Sequence, residues 1–309
     1  MSTETVPPDT AGVLLAAALL RTGSVVAIPT ETVYGLAADA TNADAVARIY
    51  AAKGRPSFNP LIAHVSDAEM AAEHVEVSPL ARRLIDAFWP GPLTLVLPHK
   101  PGSPIAAIVT AGLPTLAVRC PDHPVPQALI AALGRPLAAP SANASGRISA
   151  TRAEHVLKTL GGRIPLIIDD GRCRGGIEST IVAVDGDHLR LLRPGGVSRE
   201  ALEAYAPVSL AGGGIEAPGM MESHYAPTKL LRLDAETASE GEFLIGFGAV
   251  AGDISLSRAG DTVEAAARLF DCLHAADASG ANAIAVAPVP REGLGAAIND
   301  RLRRAAAPR

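Results

Sequence analysis

An apolar run, Val25-Val26-Ala27-Ile28, ends at Pro29 and passes straight into Thr30-Glu31-Thr32-Val33-Tyr34-Gly35. The run reads as a short buried strand, and Pro29 stops its ladder because proline has no N–H to donate. Two threonine hydroxyls, a carboxylate, a phenol and a glycine then leave the strand end together. Loops at the carboxyl ends of strands in open α/β sheets are where ligands usually bind. A helix is predicted next: Asn42 can cap it, Val46, Ile49 and Tyr50 line one face, and Gly54 ends it. Lys53 and Arg55 then stand two apart in a turn held by Pro56, where both can reach one polyanion. Each part alone also fits a plainer reading, an ordinary strand exit and a solvated helix end, since cations suit a helix C-terminus. The functional reading rests on several such clusters occurring in one chain.

The remaining signals alternate between strand and helix. Asp9 or Thr10 can cap a helix that ends at Gly23, and residues 61–65 read as a strand. Ser66 with Glu69, and Thr151 with Glu154, have the spacing of capping boxes. Ser78-Pro79 opens a helix, residues 93–97 and 115–120 are strands, and residues 124–133 are helical. A strand at 137–139 runs into Pro140-Ser141-Ala142-Asn143, and a strand at 165–168 precedes a hairpin over 179–192 that ends at Arg193. After Tyr205 periodicity fades, so residues 1–205 are expected as one domain and the Gly- and Pro-rich residues 206–229 as a linker. The linker carries Ser223-His224-Tyr225-Ala226-Pro227, which is unlike a plain spacer. Residues 230–309 alternate cleanly as a small Rossmann-like parallel α/β domain. The expected fold class is therefore α/β, a twisted open sheet followed by a linker and a smaller parallel sheet.

Composition bounds the function. With 309 residues, 48% hydrophobic and 19% charged, the chain can bury a sizeable core and is not a disordered polymer. No apolar run reaches the roughly 18–20 residues that span a bilayer, and Met1 to Thr5 lacks the basic start of a signal peptide. Cys120, Cys173 and Cys272 are odd in number and scattered, which fits neither a disulfide framework nor a zinc site, so a cytoplasmic location is expected. The net charge of −5 argues against bulk attraction to nucleic acid.

Within that frame the strand-exit loops gather anion-binding chemistry. Thr30, Thr32 and Tyr34 offer hydroxyls, Lys53, Arg55 and Arg193 offer cations, and Ser141 and Asn143 offer a hydroxyl and an amide. Arg119 lies in the apolar strand Leu116-Ala117-Val118-Arg119, so a carboxylate partner is implied, from a ligand or from the protein. His64, one imidazole among apolar neighbours, reads by itself as a satisfied core histidine. Walker, dinucleotide and nucleophile-elbow motifs are absent, and the histidines lack metal-ligand spacing. A nucleotide site of this kind would work by positioning and charge neutralisation.

The ordered motifs Pro-Thr-Glu-Thr-Val-Tyr-Gly, Lys-Gly-Arg-Pro with Asn-Pro-Leu, Phe-Trp-Pro-Gly-Pro-Leu-Thr, Pro-Ser-Ala-Asn-x-Ser-Gly and Glu-Ser-Thr resemble the YrdC-type threonylcarbamoyl-AMP synthases. The linker with Pro-Gly-Met and His-Tyr-Ala-Pro, and the ending Ala-Ile-Asn-Asp-Arg-Leu-Arg-Arg, look like the long two-domain members. The resemblance implies synthesis of L-threonylcarbamoyl-adenylate and pyrophosphate from L-threonine, bicarbonate and ATP with Mg2+, for modification of tRNA. It places Thr32, His64, Arg119, Ala139 and Ser179 in the threonine pocket. It places Arg55, Asn59, Thr115, Ser141, Ser149 and Arg193 at ATP, helped by Lys53 and Asn143, with Tyr225 closing over the nucleotide. Lys53, Arg55 and Arg193 would carry the catalytic charge neutralisation, and no protein-held metal is expected.

The same resemblance implies transfer of the adenylate to a tRNA threonylcarbamoyl transferase, with neither stable nucleic-acid binding nor a membrane. Ser57-Phe58, Ser149-Ala150-Thr151 and Met221-Glu222-Ser223 depart from the family pattern without removing a ligand residue. Two rivals stand beside this reading. One is an RNA-binding module holding tRNA or double-stranded RNA on a basic concave surface. The other is a carbamoyl-adenylate enzyme, whose zinc-finger and acylphosphatase regions this chain lacks.

Overall fold

The computed structural model describes residues 2–210, 212, 216–219 and 223–308. The first part of the chain runs β1 (Glu4–Val6), α1 (Thr10–Arg21), β2 (Val26–Ile28), β3 (Gly35–Asp39), α2 (Ala43–Lys53), β4 (Ile62–His64) and α3 (Ala68–His74). It continues through α4 (Pro79–Phe88), β5 (Leu93–Pro98), α5 (Ala107–Thr110), β6 (Thr115–Arg119), α6 (Pro124–Leu133), β7 (Leu137–Ala138) and α7 (Ala153–Leu160). The strands β8 (Leu166–Ile168), β9 (Thr180–Asp185) and β10 (His188–Arg193), the helix α8 (Arg199–Glu203) and β11 (Val208–Leu210) complete it. Among the described residues these strands form one eleven-stranded mixed sheet in the order β1-β8-β2-β3-β7-β4-β6-β5-β9-β10-β11.

Both faces of this sheet are covered, which explains why β2 is apolar throughout rather than alternating. Val25 and Ala27 join a cluster with Leu36, Val46, Ile49 and Leu84, while Val26 and Ile28 face Leu20, Leu129 and Ile130 on the other side. Several helix caps follow the sequence, Asp9 and Ser78 among them. Asn42 accepts from Asp44 and Ala45 N–H at the start of α2, and Gly54 closes it in the left-handed region. Both capping boxes fail. Asp67 caps α3 by accepting from Met70 N–H, with Ser66 donating to Asp67 instead. α7 starts at Ala153 behind Arg152 without a side-chain cap, and the Thr151 hydroxyl, one residue further back, donates to Asp271 Oδ1 at 2.5 Å.

β3 is one of the strands that sequence reading missed, with β1, β11 and β14. Gly35-Leu36-Ala37-Ala38-Asp39 contains no β-branched residue and no alternation, yet it pairs antiparallel with β2, Ile28 opposite Gly35. The polar cluster 29–34 is thus the turn of a β2–β3 hairpin. Parallel pairing of β4 with β6 sets His64 beside Arg119, and antiparallel pairing of β4 with β7 brings in the end of β7.

The second part comprises β12 (Leu230–Arg232), β13 (Glu242–Gly246), β14 (Ile254–Ser255), α9 (Thr262–Ala278), β15 (Ala283–Val286) and α10 (Leu294–Ala306). Its four strands are parallel in the order β12-β15-β13-β14, a small Rossmann-like sheet. Its core does not stop at its own boundary. Val33, Ile148, Ile177 and Tyr225 share one buried cluster with Leu269, Phe270 and Ile298. Gly176 (φ +71°) lies so close to α9 that a Cβ would stand 2.4 Å from Ala267 Cα, so only glycine fits there. Within 206–229, β11 adds parallel to β10 at the sheet edge, and the departure noted at Met221-Glu222 lies outside the described residues.

Candidate active site

One cavity collects side chains from seven segments of the first part and from Pro218, Gly219, His224 and Tyr225. Thr32, Arg55, His64, Arg119, Ala139, Ser141, Ser179, Arg193 and Tyr225 all line it. Lys53, Asn59, Thr115, Asn143 and Ser149 stand outside the lining.

Arg119 finds its carboxylate in the protein. Its Nη2 lies 2.5 Å from Glu31 Oε1, both side chains 5% exposed, and its Nε donates to the Gly91 carbonyl. His64 is 2% exposed with Nδ1 unpartnered, and burial, reinforced by the Arg119 charge, holds it well below the usual imidazole range. His64 is therefore neutral and belongs to the cavity wall rather than to a satisfied core. Ala139 N–H bonds the Ile62 carbonyl, and Ser179 sits between the Thr94 hydroxyl at 2.7 Å and Arg193 Nη2 at 3.1 Å.

The two guanidinium groups are held by backbone. Arg55 donates to Asn59 O, Asn59 Oδ1 and Pro60 O, so Asn59 acts here through Arg55. Arg193 donates twice to the Ser179 carbonyl and once to Pro218 O. Burial lowers both arginines from their ordinary value, Arg55 to about 10. Lys53 is spent differently from the reach toward a polyanion read in the sequence. It is 3% exposed, and its Nζ bonds the carbonyls of Ser141 and Asn143, fixing the loop that presents Ser141. Burial, with Arg55 nearby, drives Lys53 well below the ordinary lysine range. Asn143 bonds the carbonyls of Ala144 and Arg147 through Nδ2 and leaves Oδ1 unpartnered. Thr115 opens β6 on the same face as Arg119, two residues before Ala117, which pairs with Ile62 of the cavity wall.

Glu178, Pro218 and Gly219 are among the lining residues that the sequence reading did not name as site residues. Glu178 opens the Glu-Ser-Thr motif, which was the signal for it. It accepts from the Ser149 hydroxyl through Oε1 and from Arg301 Nε at 2.8 Å through Oε2. Arg301 rises from α10 fully buried, bonds Pro194 O and Asp300, and holds its guanidinium carbon 5.2 Å from the Tyr225 ring centre. Its charge, with Arg193 and the Ser149 bond, outweighs burial and keeps the Glu178 carboxyl below its ordinary value. Tyr225 is 1% exposed, sits at φ +62°, and its hydroxyl has no hydrogen-bond partner among the described residues. Gly219 lies beneath it at φ +83°, where a Cβ would meet Tyr225 Oη at 2.8 Å and Arg193 Cδ at 2.9 Å.

This cavity, roofed by residues between two α/β units, matches known proteins along nearly the whole chain. The family model described as "Telomere recombination" (Sua5_yciO_yrdC) covers residues 18–195, and that described as "Threonylcarbamoyl-AMP synthase, C-terminal domain" covers residues 197–307. Threonylcarbamoyl-AMP synthase of Bacillus subtilis is 43% identical, spanning 94% of this chain and 92% of its own. That of Pyrococcus abyssi is 41% identical over 94% of this chain and 93% of its own. The crystal structure of P. abyssi Sua5 complexed with L-threonine superposes with a TM-score of 0.89 at 37% identity, covering 99% of this chain and 98% of that one. The chain belongs to the threonylcarbamoyl-AMP synthase family, in its long two-domain Sua5 form.

Proposed function

We propose that the chain converts L-threonine, bicarbonate and ATP into L-threonylcarbamoyl-adenylate and pyrophosphate, the activated intermediate for threonylcarbamoyl-adenosine in tRNA. The observation that carries this reading is the convergence of Arg55 and Arg193 with His64, Arg119, Ser141 and Ser179 on one cavity. The threonine amine combines with bicarbonate to a carbamate as water leaves. A carbamate oxygen then forms a bond to the α-phosphorus while the bond to pyrophosphate breaks.

Arg55 and Arg193 neutralise the phosphates, and Ser141 binds them on a loop that Lys53 holds. Asn59 fixes Arg55, Ser149 and Asn143 buttress the nucleotide side, and Thr115 completes it. Thr32, His64, Arg119, Ala139 and Ser179 hold threonine. Among the described residues no group of three His, Cys, Asp or Glu side chains could hold a metal. Magnesium would sit with the triphosphate oxygens of ATP, where it would offset phosphate charge.

The segment 206–229, between domains at 1–205 and 230–309, acts as a lid through Tyr225, keeping water from the mixed anhydride. The product passes to a tRNA threonylcarbamoyl transferase in the cytoplasm, and no helix among the described residues is long and apolar enough to cross a membrane. An RNA-binding module is less well supported, because Lys53, Arg119 and Arg193 are only 3%, 4% and 4% exposed and offer no basic surface. The deciding assay is pyrophosphate release from ATP, which must require threonine and bicarbonate together. Release that ignores either one refutes the reading.

A further inference from the structure

Two hydroxyls on the cavity wall have their proton directions dictated by buried threonines behind them. The Thr30 hydroxyl has one hydrogen, and it goes to the Val33 carbonyl at 2.7 Å. Thr30 Oγ1 also lies 2.8 Å from Thr32 Oγ1. With its hydrogen already committed, Thr30 can only accept in that pair, so Thr32 donates to it. What Thr32 then turns toward the cavity is lone pairs alone. Thr30 Oγ1 also lies 3.1 and 3.3 Å from the N–H groups of Thr32 and Val33, longer contacts that share its two lone pairs with the Thr32 hydroxyl.

Ser179 has the opposite polarity. Its Oγ accepts from Arg193 Nη2 at 3.1 Å and lies 2.7 Å from Thr94 Oγ1. Thr94 is fully buried and makes no other side-chain hydrogen bond among the described residues. A buried hydroxyl hydrogen left unmade is costly, so Thr94 donates to Ser179. Two donors then occupy the Ser179 oxygen, and its own hydrogen is left for the cavity.

We propose that Thr30 and Thr94 are positioning residues that set the direction in which the amino acid lies. Thr32 accepts an N–H of the substrate amine, and Ser179 donates to an oxygen of its carboxylate. A molecule turned end for end would bring lone pairs against lone pairs at Thr32 and hydrogen against hydrogen at Ser179. The inference rests on threonine being the substrate of this cavity.

The test uses the full-length protein, with L-threonine and ATP binding each read by calorimetry. Thr30→Val and Thr94→Val keep shape and remove the hydroxyl; Thr30→Ser and Thr94→Ser keep the hydroxyl and remove the methyl. Both valine variants should weaken L-threonine by at least about tenfold, the loss expected for one hydrogen-bonding partner. Both serine variants should stay within about threefold of the parent, and ATP binding should be unchanged in all. A packing role predicts the reverse ranking, and valine variants that bind threonine like the parent overturn the proposal.

L-Threoninamide, which lacks the carboxylate, gives a second measurement. Its disadvantage against threonine should shrink in Thr94→Val and persist in Thr30→Val, and equal behaviour in both assigns the ends wrongly. Should Thr30→Val lose ATP binding through misfolding, Thr30→Ala replaces it with the same expectation. A parent protein that binds no L-threonine refutes the proposed function itself, which is a different result from unaffected variants.

Discussion

Arg301 Nε stands 2.8 Å from Glu178 Oε2, a contact between residues 123 apart in the chain that joins α10 to the wall of the cavity. Both side chains are buried, at 0% and 7% exposure. Removing one partner of such a pair strands a charge, which costs about 3–5 kcal/mol, whereas removing both is often near neutral. Arg301→Met should therefore lower unfolding stability by roughly that amount. Glu178→Gln combined with Arg301→Met should recover most of it while leaving synthesis impaired, since Ser149 and Tyr225 lose their supports. Denaturant unfolding and pyrophosphate release on all three variants check this, and additive losses would show that the pair does not act as a unit.

Arg193 and Lys53 support the same cavity from different sides. Arg193→Ala should cut turnover by about 100-fold or more, the scale seen on removing one preorganised donor to developing charge. Lys53→Met keeps the stem and frees the Ser141 and Asn143 carbonyls, so turnover should fall through loosening of that loop. With both changes the losses should be less than additive. Steady-state pyrophosphate release decides, and parental turnover in both single variants removes the phosphate assignment.

Arg119 already has a protein carboxylate, so the expected phenotype of Arg119→Ala is selective. L-Threonine should bind about tenfold to a hundredfold more weakly, with ATP affinity retained. Calorimetry that finds threonine affinity intact takes Arg119 out of the pocket.

Acid should loosen the joint between the two units. His155 and His274 stack with ring centres 3.8 Å apart, and burial pulls them to about 3 and about 4. Unfolded imidazoles titrate near ~6.5, so below that pH the unfolded chain binds more protons than the folded one. Stability is thus full above ~6.5 and declines as pH falls toward 4. The melting temperature should drop across that window and drop less steeply when His155 and His274 are both replaced by Gln. A flat profile for the parent contradicts the assignment.

Tyr225 offers a test of the lid. Its hydroxyl makes no hydrogen bond among the described residues, so Tyr225→Phe should leave stability nearly unchanged yet raise KM for ATP. Limited proteolysis of residues 211–222 should slow when ATP and threonine are both present. Equal cleavage with and without them identifies the segment as a tether.

Much of this was legible where local chemistry decides. The cap at Asn42, the left-handed stop at Gly54 and the helix opened by Pro124 each depend on a few neighbouring residues, and each lies where the sequence places it. β3 was not legible, because glycine and alanine buried on both faces give neither alternation nor β-propensity. Thr151 shows why a capping box can mislead: its hydroxyl is turned to a carboxylate 120 residues away and caps no helix N–H, the helix starting one residue later behind Arg152. The site divides the same way. His64 and Ser179 came from motifs and Arg119 from its charge in an apolar strand, while Arg301 could not, since nothing in Asp300-Arg301-Leu302 says which distant acid it meets.

Gly219 fixes the clearance of the roof. Any side chain there would collide with the Tyr225 hydroxyl and the Arg193 stem, and would have to adopt a backbone angle that only glycine takes at ease. Close-packed contacts of this kind switch between discrete arrangements rather than flex by degrees. At Gly219 that leaves no room for even one added methyl, which would have to push the Tyr225 ring or the Arg193 stem out of the place each now fills.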